Sequence, residues 1–305
     1  MADFIAQSRE SVLFVTLDSC RYDTFEAAHA PHMKGVAPFH RAQAPSHYTY
    51  GSHSAMFVGF TPGLAELKQP FLNPKLGKLF KLVGPGFGRK GTEAYELHGR
   101  NIVEGFANFG FRTIGAGAMG WFDPATATGQ HLSQSFSRFY FPGPYHLGQQ
   151  LNWIREELER AQMEGAGDVF VFLNIGETHV PYWFEGAPWP ASDNPCLPFQ
   201  AQDRAADCRH RQRLCCEFAD RELGPLLEAF ANSTVLICGD HGDCWGEDGL
   251  WEHGISHPAT LTVPLLAKVR GVPVVAEAQA SGAPPARSRG ARGLAWFSKL
   301  VSPSP

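Results

Sequence analysis

Thr234-Val235-Leu236-Ile237-Cys238-Gly239-Asp240-His241-Gly242-Asp243 is a short apolar run that ends in a burst of metal-type ligands. Near the other end of the chain, Val12-Leu13-Phe14-Val15-Thr16-Leu17 leads into Asp18 in the same way. Apolar runs of this length, bounded by polar or glycine residues, read as strands buried on both faces. Open α/β sheets bind their ligands beyond the carboxyl ends of such strands. Two buried strands that each end in a carboxylate therefore point to an α/β fold whose strand ends share a cation, and so to a metalloenzyme.

The remaining chain alternates strand and helix signals, which predicts a mixed sheet covered by helices on both faces. Strands are expected at 11–18, 111–117, 168–175, 233–239 and 261–268, and helices at 52–58, 75–83, 147–163 and 205–231. The third helix carries Leu147, Leu151, Ile154, Leu158 and Ala161 on one face, a core stripe. Residues 183–204 hold Pro188, Pro190, Pro195 and Pro198, the composition of a long loop, and loops after strand ends often cover substrates. Gly84-Pro85-Gly86-Phe87-Gly88-Arg89-Lys90-Gly91 lacks the Gly-Lys-Ser/Thr ending of a phosphate loop and reads as a surface turn. Residues 1–274 form one expected domain, and 275–305, rich in Ala, Gly, Pro, Ser and Arg, a flexible tail.

Charge narrows the partners. With 26 basic and 30 acidic side chains the net charge is -4, so no global field draws the chain to nucleic acid or to an anionic membrane. A small anionic substrate must then be held by local groups. The amino terminus is acidic where a signal peptide would be basic, and no run approaches about 18 uninterrupted apolar residues, so a cytoplasmic protein without a membrane span is expected. The seven cysteines have neither zinc-ribbon nor disulfide-framework spacing and read as reduced thiols, Cys20 and Cys244 lying near the candidate site.

Consecutive residues of a strand point to opposite faces, so Asp240 and His241 can converge on one ion only if the backbone turns between Gly239 and Gly242. One oxygen and one nitrogen donor suit zinc or manganese better than calcium. Past a glycine-rich loop comes His253-Gly254, a second imidazole that such a loop can return to the first.

The whole stretch from Cys238 to Gly254 resembles the signature of the alkaline phosphatase superfamily, closest to its sulfatase-like and phosphoethanolamine transferase branch. Phe14-Val15-Thr16-Leu17-Asp18-Ser19-Cys20-Arg21-Tyr22-Asp23 resembles that family's first metal-ligand strand. Thr49-Tyr50-Gly51-Ser52-His53, followed by Gly59-Phe60-Thr61-Pro62, resembles its nucleophile segment, and Phe172-Leu173-Asn174-Ile175-Gly176-Glu177-Thr178-His179-Val180-Pro181-Tyr182 its strand ending in a His-x-Pro-Tyr-like turn. The resemblance covers about residues 11–60 and 168–268.

It implies an alkaline phosphatase-like, mostly parallel mixed sheet and a metal-dependent hydrolase or transferase of phosphate, phosphonate or related esters. Thr49 is then the nucleophile, and a hydroxyl at a helix start sits beside unpaired N–H groups and the positive dipole end, which favour an attacking alkoxide. Thr49 or Ser52 as a plain helix cap is the alternative. The resemblance assigns Asp18, Thr49, Asp240 and His241 to one ion and His179 and His253 to a second, two ions about 3.5–4 Å apart. Arg21, His53 and Glu177 are the candidate substrate contacts, with Arg21 pairing to Asp23 as the competing role, Glu177 as an extra ligand or a partner orienting a histidine as another, and His179 as a direct contact to the substrate's anionic group as the alternative to a ligand.

The chain departs from the pattern at several points. Thr49 stands where formylglycine sulfatases need cysteine, with Gly51 for proline and His53 for arginine. The phosphoethanolamine transferases carry membrane helices, which are not expected here. A sulfate-ester hydrolase, an intramolecular phosphate mutase, and a metal-binding partner or regulator without turnover are the competing functions.

Overall fold

The computed structural model describes residues 3–60, 80–85, 93–97, 100–197 and 200–275. In chain order the strands are β1 Val12–Leu17, β2 Phe39–Gln43, β3 Phe80–Pro85, β4 Glu93–Leu97, β5 Arg112–Ala116, β6 Arg138–Tyr140, β7 Val169–Ile175, β8 Thr234–Gly239, β9 Cys244–Trp245, β10 Trp251–Glu252, β11 Thr262–Val269 and β12 Val272–Pro273. The helices are α1 Asp3–Gln7, α2 Tyr22–Ala27, α3 Pro31–Lys34, α4 Thr49–Val58, α5 Ile102–Asn108, α6 Ala127–Ser133, α7 Leu147–Met163, α8 Ala205–Ala229 and α9 Pro258–Leu261. None of the described helices is long and apolar enough to cross a membrane.

Eight strands form one mixed sheet in the order β12-β11-β8-β1-β7-β5-β6, with β2 also on β11. The five strands β8, β1, β7, β5 and β6 run parallel, and β11 joins β8 antiparallel. The apolar runs found in the sequence thus become the sheet's centre, for a physical reason: β1 and β7 are covered on both sides. Leu13, Val15, Leu17, Val171 and Leu173 face Ile154 and Leu158 of α7 and Leu223 and Leu227 of α8. Phe14, Phe170 and Phe172 face Phe57 of α4, Phe122 and Phe136. Phe172 meets Phe57 edge to face at 5.1 Å and Phe14 at 5.6 Å, the geometry aromatic quadrupoles favour. Each such side chain contributes about 1.5–3 kcal/mol on burial, so the carboxyl edge of the sheet rests on a close-packed support.

Register then levels the strand ends. Leu17 pairs with Ile175 on one side and Gly239 on the other, so Asp18, Gly176 and Asp240 leave the sheet side by side.

The five expected strands lie within one residue of β1, β5, β7, β8 and β11 at each end. The helix at 147–163 coincides with α7, that at 205–231 ends at Ala229, and that at 52–58 begins earlier, at Thr49. The helix expected over 75–83 is corrected: Phe80–Pro85 is a strand, in keeping with the period-two apolar spacing of Phe80 and Leu82, and 75–79 lie outside the described residues. Gly84 and Pro85 of the expected turn belong to that strand, and 86–91 lie outside, as does the tail from 276. Residues 183–204 contain no helix or strand among those described.

Candidate active site and metal centre

Two strand ends and one helix start converge. Asp18 follows β1, Asp240 and His241 follow β8, and Thr49 is the first residue of α4; all four are fully buried. The Thr49 hydroxyl lies 3.3 Å from Asp18 Oδ1 and 3.2 Å from His241 Nε2. It caps no helix N–H, and Ser52 instead donates to the Asp240 carbonyl at 2.7 Å. Asp18 Oδ1 and Asp240 Oδ2 are 3.7 and 3.6 Å from His241 Nε2.

Asp240 is held by two backbone donors on one oxygen, Ser19 N at 3.0 Å and His241 N at 2.8 Å. Its other oxygen, Oδ2, is buried without a hydrogen-bond partner. Burial, and then the charge of Asp18, push this carboxyl well above its usual range. An orphaned carboxylate oxygen aimed at a second carboxylate, an imidazole and a hydroxyl is the donor set of a divalent cation, and it satisfies the fit for one.

Glycine acts here through space and not through rotation. Neither Gly239 nor Gly242 has a positive φ. A Cβ on Gly239 would lie 2.7 Å from the Cys20 carbonyl, and one on Gly242 2.3 Å from that of Ala259. The expected freedom to turn is therefore corrected to a demand for close approach, which lets the Asp240-His241 corner press between two neighbouring backbones. Positive φ occurs instead at Ser19, Tyr182 and Glu252, at 59°, 59° and 64°, each beside or near a ligating candidate. Strained non-glycine residues of this kind concentrate at functional sites.

The outer group is built on loops. His253 packs on His241 with ring centroids 4.6 Å apart and on His179 at 5.0 Å. All three imidazoles place Nδ1 on a protein oxygen: His241 on the Gly242 carbonyl at 3.0 Å, His179 on the Val180 carbonyl at 2.8 Å, His253 on Asp243 Oδ1 at 2.7 Å. A carbonyl or an ionised carboxylate only accepts, so Nδ1 carries the proton and Nε2 is the nitrogen left for a metal, an arrangement that fixes a ligand tautomer. Among the described residues two groups bring ligand atoms within 4.8 Å of one another, Asp18-Asp240-His241 and His241-Asp243-His253.

Electrostatics separates the imidazoles. Burial pushes His241 down to about 4, so it is neutral and ready to ligate near neutrality. Burial opposes the charged form of His253 too, but the charge and hydrogen bond of Asp243 lift it to about 8. Burial likewise works against the Asp243 carboxylate, yet His253 holds it below its usual range. Asp243 belongs to the quoted motif but not to the expected ligands, and its carboxylate spacing from His253 is set by the returning loop.

The three expected substrate contacts are each engaged by the protein itself, and Glu177 keeps one buried oxygen, Oε2, without a hydrogen-bond partner. His53 is fully buried beneath the site: its Nδ1 donates to the Thr49 carbonyl at 2.8 Å and its Nε2 accepts from Thr16 Oγ1 at 2.9 Å. Asn174 completes that layer, donating to Thr16 at 3.2 Å and to Asp18 Oδ2 at 3.1 Å. Arg21 turns away to Asp23 at 2.8 and 2.9 Å and to Glu247 at 2.6 Å, and lies over the Trp245 ring at 4.2 Å. Glu177 accepts from Leu147 N at 2.8 Å at the start of α7, and burial raises its pKa to about 7. Cys20 and Cys244 are also buried, and burial raises both thiols, Cys244 to about 11, which disfavours the reactive thiolate.

No protein-family model and no curated protein sequence matches the chain. Solved structures do. The zinc complex of the C-terminal periplasmic domain of a phosphoethanolamine transferase from Escherichia coli superposes with a TM-score of 0.57 at 12% identity, over 86% of this chain and 73% of that one. Its counterpart from Campylobacter jejuni gives 0.54 at 11% identity, over 86% and 79%. A protein of the alkaline phosphatase superfamily from Vibrio parahaemolyticus gives 0.52 at 14% identity, over 87% and 61%. The fold is the alkaline phosphatase-like fold of these neighbours.

Proposed function

We propose that the chain is a member of the alkaline phosphatase superfamily that hydrolyses or transfers a phosphate, phosphonate or related ester, with Thr49 as nucleophile and divalent ions, zinc or manganese, as cofactors. The observation that carries this reading is the Thr49 hydroxyl at a helix start, 3.3 Å from Asp18 Oδ1 and 3.2 Å from His241 Nε2, beside a carboxylate oxygen with no partner.

Asp18, Thr49, Asp240 and His241 would hold one ion, and His179 and His253 the other. When bound, such ions supply Lewis-acid stabilisation of phosphoryl charge and ease ionisation of the hydroxyl. The chain's own groups do the rest. His53 draws on the Thr49 carbonyl and fixes the first turn of α4, so the hydroxyl is held toward Asp18 and His241. Asn174 holds Asp18 Oδ2, which leaves Oδ1 toward Thr49. Thr49 Oγ forms a bond to phosphorus as the ester oxygen leaves with its electron pair, and the hydroxyl proton has Asp18 Oδ1 within reach at 3.3 Å. The phospho-threonine is then transferred to water or to an acceptor hydroxyl, and Thr49 is regenerated.

The test is turnover of phosphate monoesters, diesters and phosphonate esters by the zinc- or manganese-loaded chain, beside Thr49→Ala and mass analysis for phosphate on Thr49. Metal-dependent turnover abolished by the substitution is expected. Undiminished turnover in Thr49→Ala would overturn the nucleophile assignment.

A further inference from the structure

We propose that Tyr182 is the positioning residue of the outer metal group, setting His253 through Asp243. This deepens the two-ion reading above and rests on it.

Distance alone places Asp243 among the ligands, but both of its oxygens are engaged. Oδ1 holds His253 Nδ1 at 2.7 Å, and Oδ2 accepts from the Tyr182 hydroxyl at 2.8 Å. That hydroxyl in turn accepts from Trp245 Nε1 at 2.7 Å. Trp245 has only a donor to give, so the direction is fixed along the chain: Trp245 to Tyr182, Tyr182 to Asp243, with the carboxylate left to receive the proton of His253 Nδ1. Asp243 thus acts as an orienting carboxylate and His253 Nε2 remains the ligand atom.

The order of this relay comes from its burial. Tyr182 and Asp243 are fully buried and Trp245 is 2% exposed, whereas the His253 side chain is 19% exposed. An imidazole on a loop at the rim is therefore anchored by groups that cannot rotate without losing buried hydrogen bonds, which costs about 1–3 kcal/mol for each polar group left unpaired. Tyr182 also closes the turn that presents His179, its N–H donating to the His179 carbonyl at 2.7 Å. One residue consequently couples both outer histidines.

The segment after Tyr182 holds it from behind. Trp189 Nε1 donates to the Tyr182 carbonyl at 2.9 Å, and the Trp183 indole returns to the Trp189 carbonyl at 3.0 Å. Asp193 takes paired contacts from Arg204 and Arg211. These contacts make the start of the proline-rich loop a brace for the outer group, a role beyond covering a substrate.

A core role would be served equally by phenylalanine, so Tyr182→Phe separates the two. Zinc-loaded full-length chain is dialysed against graded chelator, and the zinc retained per chain is counted. The wild type is expected to hold two equivalents. In Tyr182→Phe the first should be retained as in the wild type, and the second lost at about 10–100-fold higher free zinc. Trp245→Phe, which removes the upstream donor, should shift the second equivalent in the same direction by less. Asp243→Asn should abolish it.

Two equivalents released from Tyr182→Phe as from the wild type would overturn the inference and leave the two-ion reading standing. Equal weakening of both equivalents would also overturn it, as the sign of a general packing defect. A single equivalent in the wild type would overturn the two-ion reading and the inference with it. Should Tyr182→Phe not fold by circular dichroism, an unshifted second equivalent in Trp245→Phe decides against the relay.

Discussion

The inner and outer donor groups meet where His241 packs on His253, ring centroids 4.6 Å apart, but are built in opposite ways. Asp18, Thr49, Asp240 and His241 grow from strand ends and a helix start, fully buried over an aromatic and aliphatic core. His179 and His253 sit on loops, partly exposed, and owe their orientation to Val180, Asp243 and Tyr182. Secondary structure positions the first set and a hydrogen-bonded relay the second. A site on rigid elements is placed by packing; a site on loops needs a dedicated support.

The largest expected break in this comparison is at the inner group. Thr49→Ala should lower turnover of an ester substrate by on the order of 1,000-fold or more, read as kcat at saturating zinc or manganese, because it removes the proposed nucleophile.

His253→Ala should be milder, about a hundredfold in turnover, in line with removal of one charge-stabilising group. Its retained metal should fall by the outer equivalent, whereas His241→Ala should lose the inner one and with it as much turnover as Thr49→Ala. Equal losses in the two variants would erase the distinction between inner and outer donors.

Protons sharpen it further. His253, lifted to about 8, must release its Nε2 proton before that nitrogen can bind a metal, so affinity for the second equivalent should fall up to about tenfold for each pH unit below 8. Titrations between pH 6 and pH 8 measure this slope, and a flat profile would contradict the outer assignment of His253.

Glu177 supplies the smallest effect on the site and serves as the control. Its folded pKa of about 7 lies above the ordinary carboxyl value of 4.5, so the folded state keeps a proton that the unfolded chain releases. The stability it contributes is complete below pH 4.5 and is lost as pH rises through 7. Glu177→Gln should therefore stabilise the chain at pH 8, by roughly 1–3 kcal/mol, and change little at pH 4. Metal retention should be unchanged, and a shift in either equivalent would make Glu177 a metal-site residue.

Much of the inner group was legible because its residues end apolar runs. A buried strand announces itself by composition, and the residue that closes it must lie at the sheet edge, so Asp18, Asp240 and His241 were located before their contacts were. Thr49 needed the family resemblance, since a hydroxyl before a helix reads equally as a cap. β2 escaped notice because Phe39-His40-Arg41-Ala42-Gln43 is a partly exposed edge strand without clean alternation. Arg21, His53 and Glu177 were legible as charged or polar residues near the motifs, but proximity in sequence does not tell which way a side chain turns. Arg21 found Glu247 across the loop, His53 sank among phenylalanine rings, and Glu177 met the start of α7.

The sequence by itself determined the buried centre of the sheet, the edge at which ligands gather, and the residue types that a divalent cation would need. These follow from local periodicity, because an apolar strand has only one place to be buried. Tertiary structure alone decided that Asp240 would keep an oxygen without a partner, that three histidines would all present Nε2, and that Tyr182 would reach Asp243 across 61 positions of chain. Hydrogen-bond direction is set by which donors and acceptors arrive together in space, and no spacing along the chain encodes that meeting.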